Sequence, residues 1–234
     1  MPKLEMIGVD ADDTLWHNQR FFDLTQARFA ALLAPYTAPE GLVERLQAAE
    51  ARNLGHYGFG IKGFTLSMIE TAIEVTDARV PAPVISDLIA MGQEMLRHPV
   101  ELLPHAEAAL RDVSSEYRLV LITKGDLLDQ ERKLAQSGLG DFFDAVEIVS
   151  DKSAGVYRGI FSRHGVEPAR AAMVGNSMRS DVLPVIEAGG WGIHVPQEGG
   201  WAYESAPEPV DTTRFRTLAD LGGLFAALRE MAIF

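Results

Sequence analysis

The sequence predicts an α/β protein: a doubly wound, Rossmann-like parallel sheet as the core, with a second, smaller, all-helical cap domain. Short apolar segments alternate with amphipathic helical segments, which is the pattern of a parallel sheet covered on both faces. About a hundred residues separate the first two apolar segments, far more than one crossover helix needs. We therefore assign residues 1–17 and 99–234 to the core and 18–98 to the cap.

The sheet is predicted from apolar segments that are short and rich in β-branched residues, as expected for strands buried on both faces. Five segments have this character: 4–9, 118–123, 143–149, 171–175 and 190–195.

Helices are predicted where apolar residues recur at helical spacing. In the core these are 104–115, 127–137, 153–165, 178–188 and 218–231, with a loop at 197–213. In the cap they are 21–34, 40–53, 64–76 and 84–97, interrupted by Pro35, Pro39, Pro81 and Pro83. Segment 53–63 contains four glycines and is predicted to be a loop that turns inward.

Composition narrows the possible partners. The 33 acidic and 21 basic residues give a formal net charge of −12, which argues against nucleic acid or an anionic membrane as partner. The absence of cysteine excludes thiolate chemistry and disulfides. We find no apolar run long enough to cross a bilayer and no signal peptide, so we expect a cytoplasmic protein. The sequence makes no prediction of oligomeric state.

Carboxylates follow the first predicted strand directly, as Asp10 and Asp12. Ligands of an open α/β sheet gather at the carboxyl ends of its strands, so this is where a site is expected. Two aspartates at this spacing can share one reacting group, with one acting as nucleophile and the other as proton donor, and can hold a metal between them.

The other strand ends add groups suited to phosphate and metal. Thr123 ends the second strand and Lys124 follows it, and Lys152 follows the third, where a lysine can neutralise a phosphate. Asn176 and Asp181 follow the fourth. Hard oxygen ligands of this kind favour Mg²⁺.

In this order, the residues resemble the motifs of the haloacid dehalogenase superfamily. The matching residues are Asp10, Asp12 and Thr14 for the first motif, Thr123 for the second, Lys152 for the third and the segment 175–181 for the fourth. The resemblance implies that Asp10 is the nucleophile and a magnesium ligand, and that Asp12 is the acid and base whose backbone carbonyl also binds the metal. Asn176 and Asp181 would complete the metal site, although position 176 usually carries an acid.

The inserted helical segment resembles the cap that members of this superfamily carry between their first two motifs. Such a cap closes over the site and selects the substrate. Tyr57 and Lys62, in the glycine-rich segment, are the candidate specificity residues. The expected partner is a small phosphorylated metabolite.

Several other polar residues are interpreted as structural. Asp13 and Asp126 are predicted to cap helices, and His17, His164 and His194 have no partners at metal-ligand spacing. Lys124 is an alternative to Lys152 as the lysine that contacts phosphate.

The functional expectation is a Mg²⁺-dependent phosphatase that forms an aspartyl-phosphate. The alternatives are a haloacid dehalogenase, a phosphonatase-type hydrolase that uses Lys62, or a catalytically weak binding or regulatory module on the same fold. Dehalogenation needs no proton for its leaving group, so the carboxylate of Asp12 argues against it.

Overall fold

A computed structural model describes residues 3–38, 40–197, 199–210 and 213–231. The chain divides into two compact units. The first comprises Met1–Gln19, Val100–Lys124 and Glu131–Phe234, and the second comprises Arg20–Pro99 and Gly125–Gln130. Residues 125–130, predicted to belong to the core, group with the second unit. The interpretation of the second unit as a cap stays a prediction.

The first unit is built on a six-stranded sheet in the order β3-β2-β1-β4-β5-β6, and all its neighbouring strands are parallel. The strands are β1 (Met6–Val9), β2 (Arg118–Lys124), β3 (Ala145–Val149), β4 (Ala171–Gly175), β5 (Trp191–His194) and β6 (Phe215–Thr217). The predicted fold class is confirmed. The sequence did not predict β6, because it has only three residues and two of them are exposed.

Helices cover both faces of this sheet. They are α5 (Ala106–Ser114), α6 (Leu127–Ser137, of which residues 131–137 belong to this unit), α7 (Ala154–Arg163), α8 (Leu183–Glu187) and α9 (Leu224–Met231). Successive strand residues point to opposite faces: Ile7 and Val9 join one apolar cluster with α5 and α9, and Met6 joins another with α7. Burial of both faces explains why the strands read as continuous apolar runs.

Gly8 in β1 is closely surrounded by side chains of the two neighbouring strands. A Cβ at this position would lie 2.7 Å from the Cδ1 of Ile122 in β2 and 3.0 Å from the sulfur of Met173 in β4. The glycine therefore leaves room for these two side chains on one face of the sheet.

The second unit is helical, with α1 (Gln19–Leu33), α2 (Leu42–Tyr57), α3 (Ile61–Val75) and α4 (Ala82–Arg97). Its apolar core includes Phe29, Leu46 and Met68. The predicted loop at 53–63 is wrong, because α2 continues to Tyr57 and α3 begins at Ile61. Only 58–60 connect them, with positive φ at Gly58 and Gly60. The predicted helix breaker Pro39 lies outside the described residues.

Candidate active site

The candidate residues of the first unit lie at the carboxyl edge of its sheet. Asp10 follows β1, and its backbone N–H donates to the carbonyl of Val174 in β4 (2.8 Å). Thr123 is buried near the end of β2 and pairs in register with Ile148 of β3. Lys152 and Asn176 follow β3 and β4. Because the strands are parallel, these ends meet at one edge.

Lys152 joins two of the predicted carboxylates. Its Nζ lies 2.5 Å from Oδ1 of Asp10 and 2.7 Å from Oδ1 of Asp181. All three side chains are almost completely shielded from water, with at most 9% exposed. The sequence offers Lys124 and Lys152 as alternative lysines for a phosphate contact at this edge. The structure places Lys152 between the two carboxylates.

Burial and charge act in opposite directions on this triad. Burial, reinforced by the charge of Asp181, raises the pKa of Asp10 to about 7, although Lys152 works to lower it. Burial would lower the pKa of Lys152, but the two carboxylates outweigh it and raise that pKa. The lysine is therefore charged. With both carboxylates ionised, the triad has one net negative charge.

Thr14 connects Asp10 to Asn176. The Thr14 Oγ1 lies 3.1 Å from Oδ2 of Asp10 and 3.3 Å from Oδ1 of Asn176, and it accepts from the Asn176 N–H (3.0 Å). Its single proton can serve one of the two oxygens at a time. The hydroxyl thus brings a carboxylate oxygen and an amide oxygen to the same point.

Asp181 is positioned by an unusual turn. Residues Met178–Val182 form a π-helical turn that continues into α8, where an ordinary helix over 178–188 was predicted. Such turns are rare in proteins, but those that occur are often found at functional sites. Oδ2 of Asp181 accepts from the Ser177 N–H (3.0 Å). The Asp181 side chain also lies against Gly175, where a Cβ would overlap its carboxylate.

Asp12 lies in a different set of contacts from Asp10. Its Oδ1 accepts from Trp16 Nε1 (2.7 Å) and from Lys133 Nζ (2.8 Å). Lys133 also donates to Oδ1 of Asn18 (2.9 Å). Lys133 lies within α6 with no motif around it, so the sequence alone did not predict this contact.

Asp13 caps α1. Its carboxylate accepts from the backbone N–H groups of Asn18 (2.8 Å) and Gln19 (2.9 Å). Its backbone has a positive φ of 60°, which aspartate tolerates better than most residues. These contacts agree with its interpretation as a capping residue.

Lys124 is held by a residue that the sequence analysis missed. Its Nζ donates to Ser180 Oγ (2.8 Å) and Glu204 Oε1 (2.5 Å). Glu204 lies in the segment 197–213, which was predicted only as a loop, and no motif surrounds it.

In the second unit, the two specificity candidates make polar contacts of their own. Tyr57 donates from its hydroxyl to Oε1 of Glu70 (3.0 Å). Lys62 pairs with both carboxylate oxygens of Asp126, at 3.0 and 2.9 Å. Asp126, predicted to be a cap, also accepts from the N–H of Asp129 (3.3 Å). A role of Tyr57 and Lys62 in specificity stays a prediction.

The oxygen donors at the sheet edge are of the type that magnesium prefers. Asp10 and Asp181 supply carboxylates, Asn176 supplies an amide oxygen, and the excess negative charge of the triad suits a cation. Within the described residues, no three histidine, aspartate or glutamate side chains are arranged to hold a metal.

Comparison with known proteins shows which family the chain belongs to. The family model described as haloacid dehalogenase-like hydrolase matches residues 4–189. A haloacid dehalogenase-like family hydrolase from Xanthomonas campestris has a similar structure, with a TM-score of 0.89, 40% identity and coverage of 98% of this chain and 92% of that one. A 2-haloacid dehalogenase from Pseudomonas syringae shares the fold, with a TM-score of 0.65, 21% identity and coverage of 98% and 100%.

A curated relative matches over a shorter part of the chain. The N-acylneuraminate-9-phosphatase of Rattus norvegicus is 26% identical over 109 residues, which is 44% of this chain and 44% of the relative. The match thus spans less than half the length of that relative. Among the helices of the described residues, none combines the length and apolar character needed to cross a membrane.

Proposed function

Because the chain belongs to the haloacid dehalogenase-like hydrolase family, we propose that it is a magnesium-dependent phosphatase acting on a small phosphomonoester. The observation that supports this most directly is the buried triad of Asp10, Lys152 and Asp181. Two carboxylates are rarely buried beside one lysine for the sake of stability alone, because removing charges from water is costly. At the edge of the sheet where ligands bind, the same arrangement suits phosphoryl transfer.

Asp10 is the proposed nucleophile. A carboxylate oxygen attacks phosphorus, a new bond forms between that oxygen and phosphorus, and the bond from phosphorus to the ester oxygen breaks. Lys152, 2.5 Å from Oδ1 of Asp10, holds the carboxylate in place and offsets the negative charge of the incoming phosphate. Water then attacks the aspartyl-phosphate, which releases phosphate and restores Asp10.

Asp12 is the proposed acid and base. It gives a proton to the departing ester oxygen in the first step and accepts one from water in the second. Trp16 and Lys133 fix the orientation of its carboxylate through Oδ1. Lys133 thereby becomes a proposed positioning residue.

Thr123 and Lys152 are the proposed phosphate contacts. Thr123 is buried near the end of β2, where its hydroxyl and the neighbouring N–H groups would bind phosphate oxygens without adding charge. Lys124 was also predicted to contact phosphate. Since it is held by Ser180 and Glu204, we assign the direct charge contact to Lys152.

Magnesium is the proposed cofactor, held by Asp10, Asp181, the side-chain oxygen of Asn176 and the backbone carbonyl of Asp12. A bound Mg²⁺ would offset charge on the phosphate and the carboxylates. Asn in place of an acid at 176 removes one negative charge, so we expect weaker metal binding than a third carboxylate would give. The contacts of Asp181 with Ser177 and Gly175 hold its carboxylate at the sheet edge and support this proposal.

Phosphate rather than halide chemistry is supported by Asp12 and by the curated relative. Two donors hold the Asp12 carboxylate, as expected if it must meet a leaving oxygen. The relative is named as a phosphatase, whereas the likeness to the 21% identical dehalogenase concerns the fold alone.

Hydrolysis of p-nitrophenyl phosphate with and without Mg²⁺ tests the proposal. We expect metal-dependent release of phosphate, and Asp10→Asn should lower kcat by about a thousandfold or more, because the nucleophile is lost. Asp77→Asn is the matched control, since Asp77 is exposed in the second unit. Retained activity in Asp10→Asn would disprove the nucleophile, and halide release from a 2-haloacid in the presence of chelator would favour the dehalogenase.

A further inference from the structure

The segment around Glu204 makes unusually dense polar contacts with the candidate site. Residues Ala202–Glu204 form a short 3-10 helix. The Glu204 carboxylate accepts from Lys124 Nζ, Ser177 Oγ and Ser180 Oγ, each at 2.5 Å. Both charged side chains of the ion pair are shielded, at 14% exposure for Lys124 and 16% for Glu204. One carboxylate thus gathers three donors from two different strand ends.

These donors belong to the elements that carry the site. Lys124 is the last residue of β2, directly after Thr123. Ser177 precedes the π-helical turn that presents Asp181 and Ser180 lies within it, and the backbone N–H of Ser180 also donates to Ser177 Oγ (2.9 Å). Glu204 therefore connects the phosphate-binding end of β2 to the turn that holds a proposed metal ligand.

A second set of contacts holds the Glu204 segment in place. The guanidinium of Arg179 lies 4.0 Å from the centre of the Tyr203 ring and donates to the Tyr203 carbonyl (3.2 Å) and hydroxyl (3.3 Å). The Tyr203 ring stacks on Trp201, with 4.8 Å between ring centres. Because Arg179 is part of the π-helical turn, its contacts with Tyr203 also tie the segment to the turn, two residues before Asp181.

Glu204 is ionised in this position. Burial alone would raise its pKa, but Lys124 and the two serine hydroxyls outweigh burial and lower the pKa. The pair of Lys124 and Glu204 is therefore an internal ion pair with no net charge.

The charge balance at the sheet edge depends on that pair. When Asp10 and Asp181 are both ionised, they and Lys152 together have one net negative charge, which favours a divalent cation. Lys124 donates a hydrogen bond to Ser180, the residue before Asp181. Without the negative charge of Glu204, its ammonium would add a positive charge close to that cation and oppose its binding.

We propose that Glu204 is a positioning residue that neutralises Lys124 and fixes the Ser177–Asp181 turn, so that the site stays negative enough to bind magnesium. The proposal rests on the phosphatase function proposed above. It assigns a role to a loop residue that lies outside the four strand-end motifs.

Titration calorimetry of Mg²⁺ with the full chain and no substrate tests this role. We expect Glu204→Gln to weaken Mg²⁺ binding by about tenfold, because the lysine charge is no longer balanced. Adding Lys124→Met to that variant should restore binding to within about threefold of the wild type. Glu208→Gln is the matched control, since Glu208 is an exposed glutamate in the same segment.

The outcomes separate this inference from the proposed function. If the wild type neither binds Mg²⁺ nor hydrolyses the ester, the proposed function fails. If the wild type does both and Glu204→Gln binds Mg²⁺ as tightly, or Lys124→Met gives no rescue, the role of Glu204 is refuted. Should Glu204→Gln fail to fold, as judged by circular dichroism, Lys124→Met alone should tighten Mg²⁺ binding, and unchanged or weaker binding would refute it.

Discussion

Each compact unit contains a shielded carboxylate whose pKa is raised to about 7, Asp10 in the first and Glu50 in the second. The causes differ. For Asp10, burial and the charge of Asp181 raise the pKa against the opposing effect of Lys152. For Glu50, burial is the cause, and its Oε2 has no hydrogen-bond partner among the described residues.

Other polar contacts within the two units differ in the charge of the donor. In the second unit, Glu70 accepts from Asn53 Nδ2 (2.7 Å) and from the Tyr57 hydroxyl (3.0 Å), both neutral donors. In the first unit, the donor to Asp10 and Asp181 is a buried ammonium. A raised pKa alone therefore does not identify a reactive carboxylate. An adjacent opposite charge at a strand end is the more informative observation.

The largest expected effect comes from removing that opposite charge. Lys152→Met leaves two buried carboxylates side by side, and we expect it to lower the free energy of unfolding by about 3–5 kcal/mol in the presence of chelator. Urea unfolding measures this change. Adding Asp10→Asn should recover much of the loss by removing the repulsion. A Lys152→Met protein as stable as the wild type would contradict the comparison.

A smaller, pH-dependent effect is expected at Glu50. Its pKa in the folded state, about 7, exceeds the ordinary value of 4.5. The folded state thus binds the proton more tightly. Protonation of Glu50 therefore stabilises the folded state. This stabilisation is complete below about pH 4.5 and is lost as the pH rises through 7. Each tenfold difference in proton affinity corresponds to about 1.4 kcal/mol, so the loss is on the order of 3 kcal/mol.

Glu50→Gln removes this dependence, because the amide does not ionise. We expect the variant to be more stable than the wild type at pH 8 and similar at pH 4, as measured by urea unfolding at both values. Glu44→Gln, on the exposed side of α2, is the control and should change little at either pH. Equal effects of Glu50→Gln at pH 4 and pH 8 would show that folding does not raise the pKa of Glu50.

The sequence contains more information on the strand ends than on what surrounds them. Asp10, Thr123 and Lys152 follow or end apolar strands, so the parallel topology alone predicts that they share an edge. Lys133 and Glu204 reach the same edge from a helix and a loop. Their positions depend on tertiary packing, and no local pattern distinguishes them from solvated surface charges.

The errors in the predicted elements have similar causes. Glycines at 55, 58, 60 and 63 predict a loop, but Gly55 and Gly63 lie within α2 and α3, where tertiary packing overrides their low helix propensity. The π-helical turn at Met178–Val182 has the apolar spacing of an ordinary helix. What differs is the contact of Asp181 with Gly175 and Ser177, which sequence spacing does not reveal.

The smallest expected effect concerns Lys62 and Asp126, an ion pair of the second unit. The Lys62 side chain is 56% exposed, so a double-mutant cycle with Lys62→Met and Asp126→Asn should give a coupling free energy below about 1 kcal/mol. That result would contrast with Lys152, whose ammonium is shielded. The KM for p-nitrophenyl phosphate should change by less than about threefold in Lys62→Met, because loss of an exposed charge is largely screened. A tenfold rise in KM in Lys62→Met, but not in Asp126→Asn, would instead show that the ammonium binds substrate and would support Lys62 as a specificity residue.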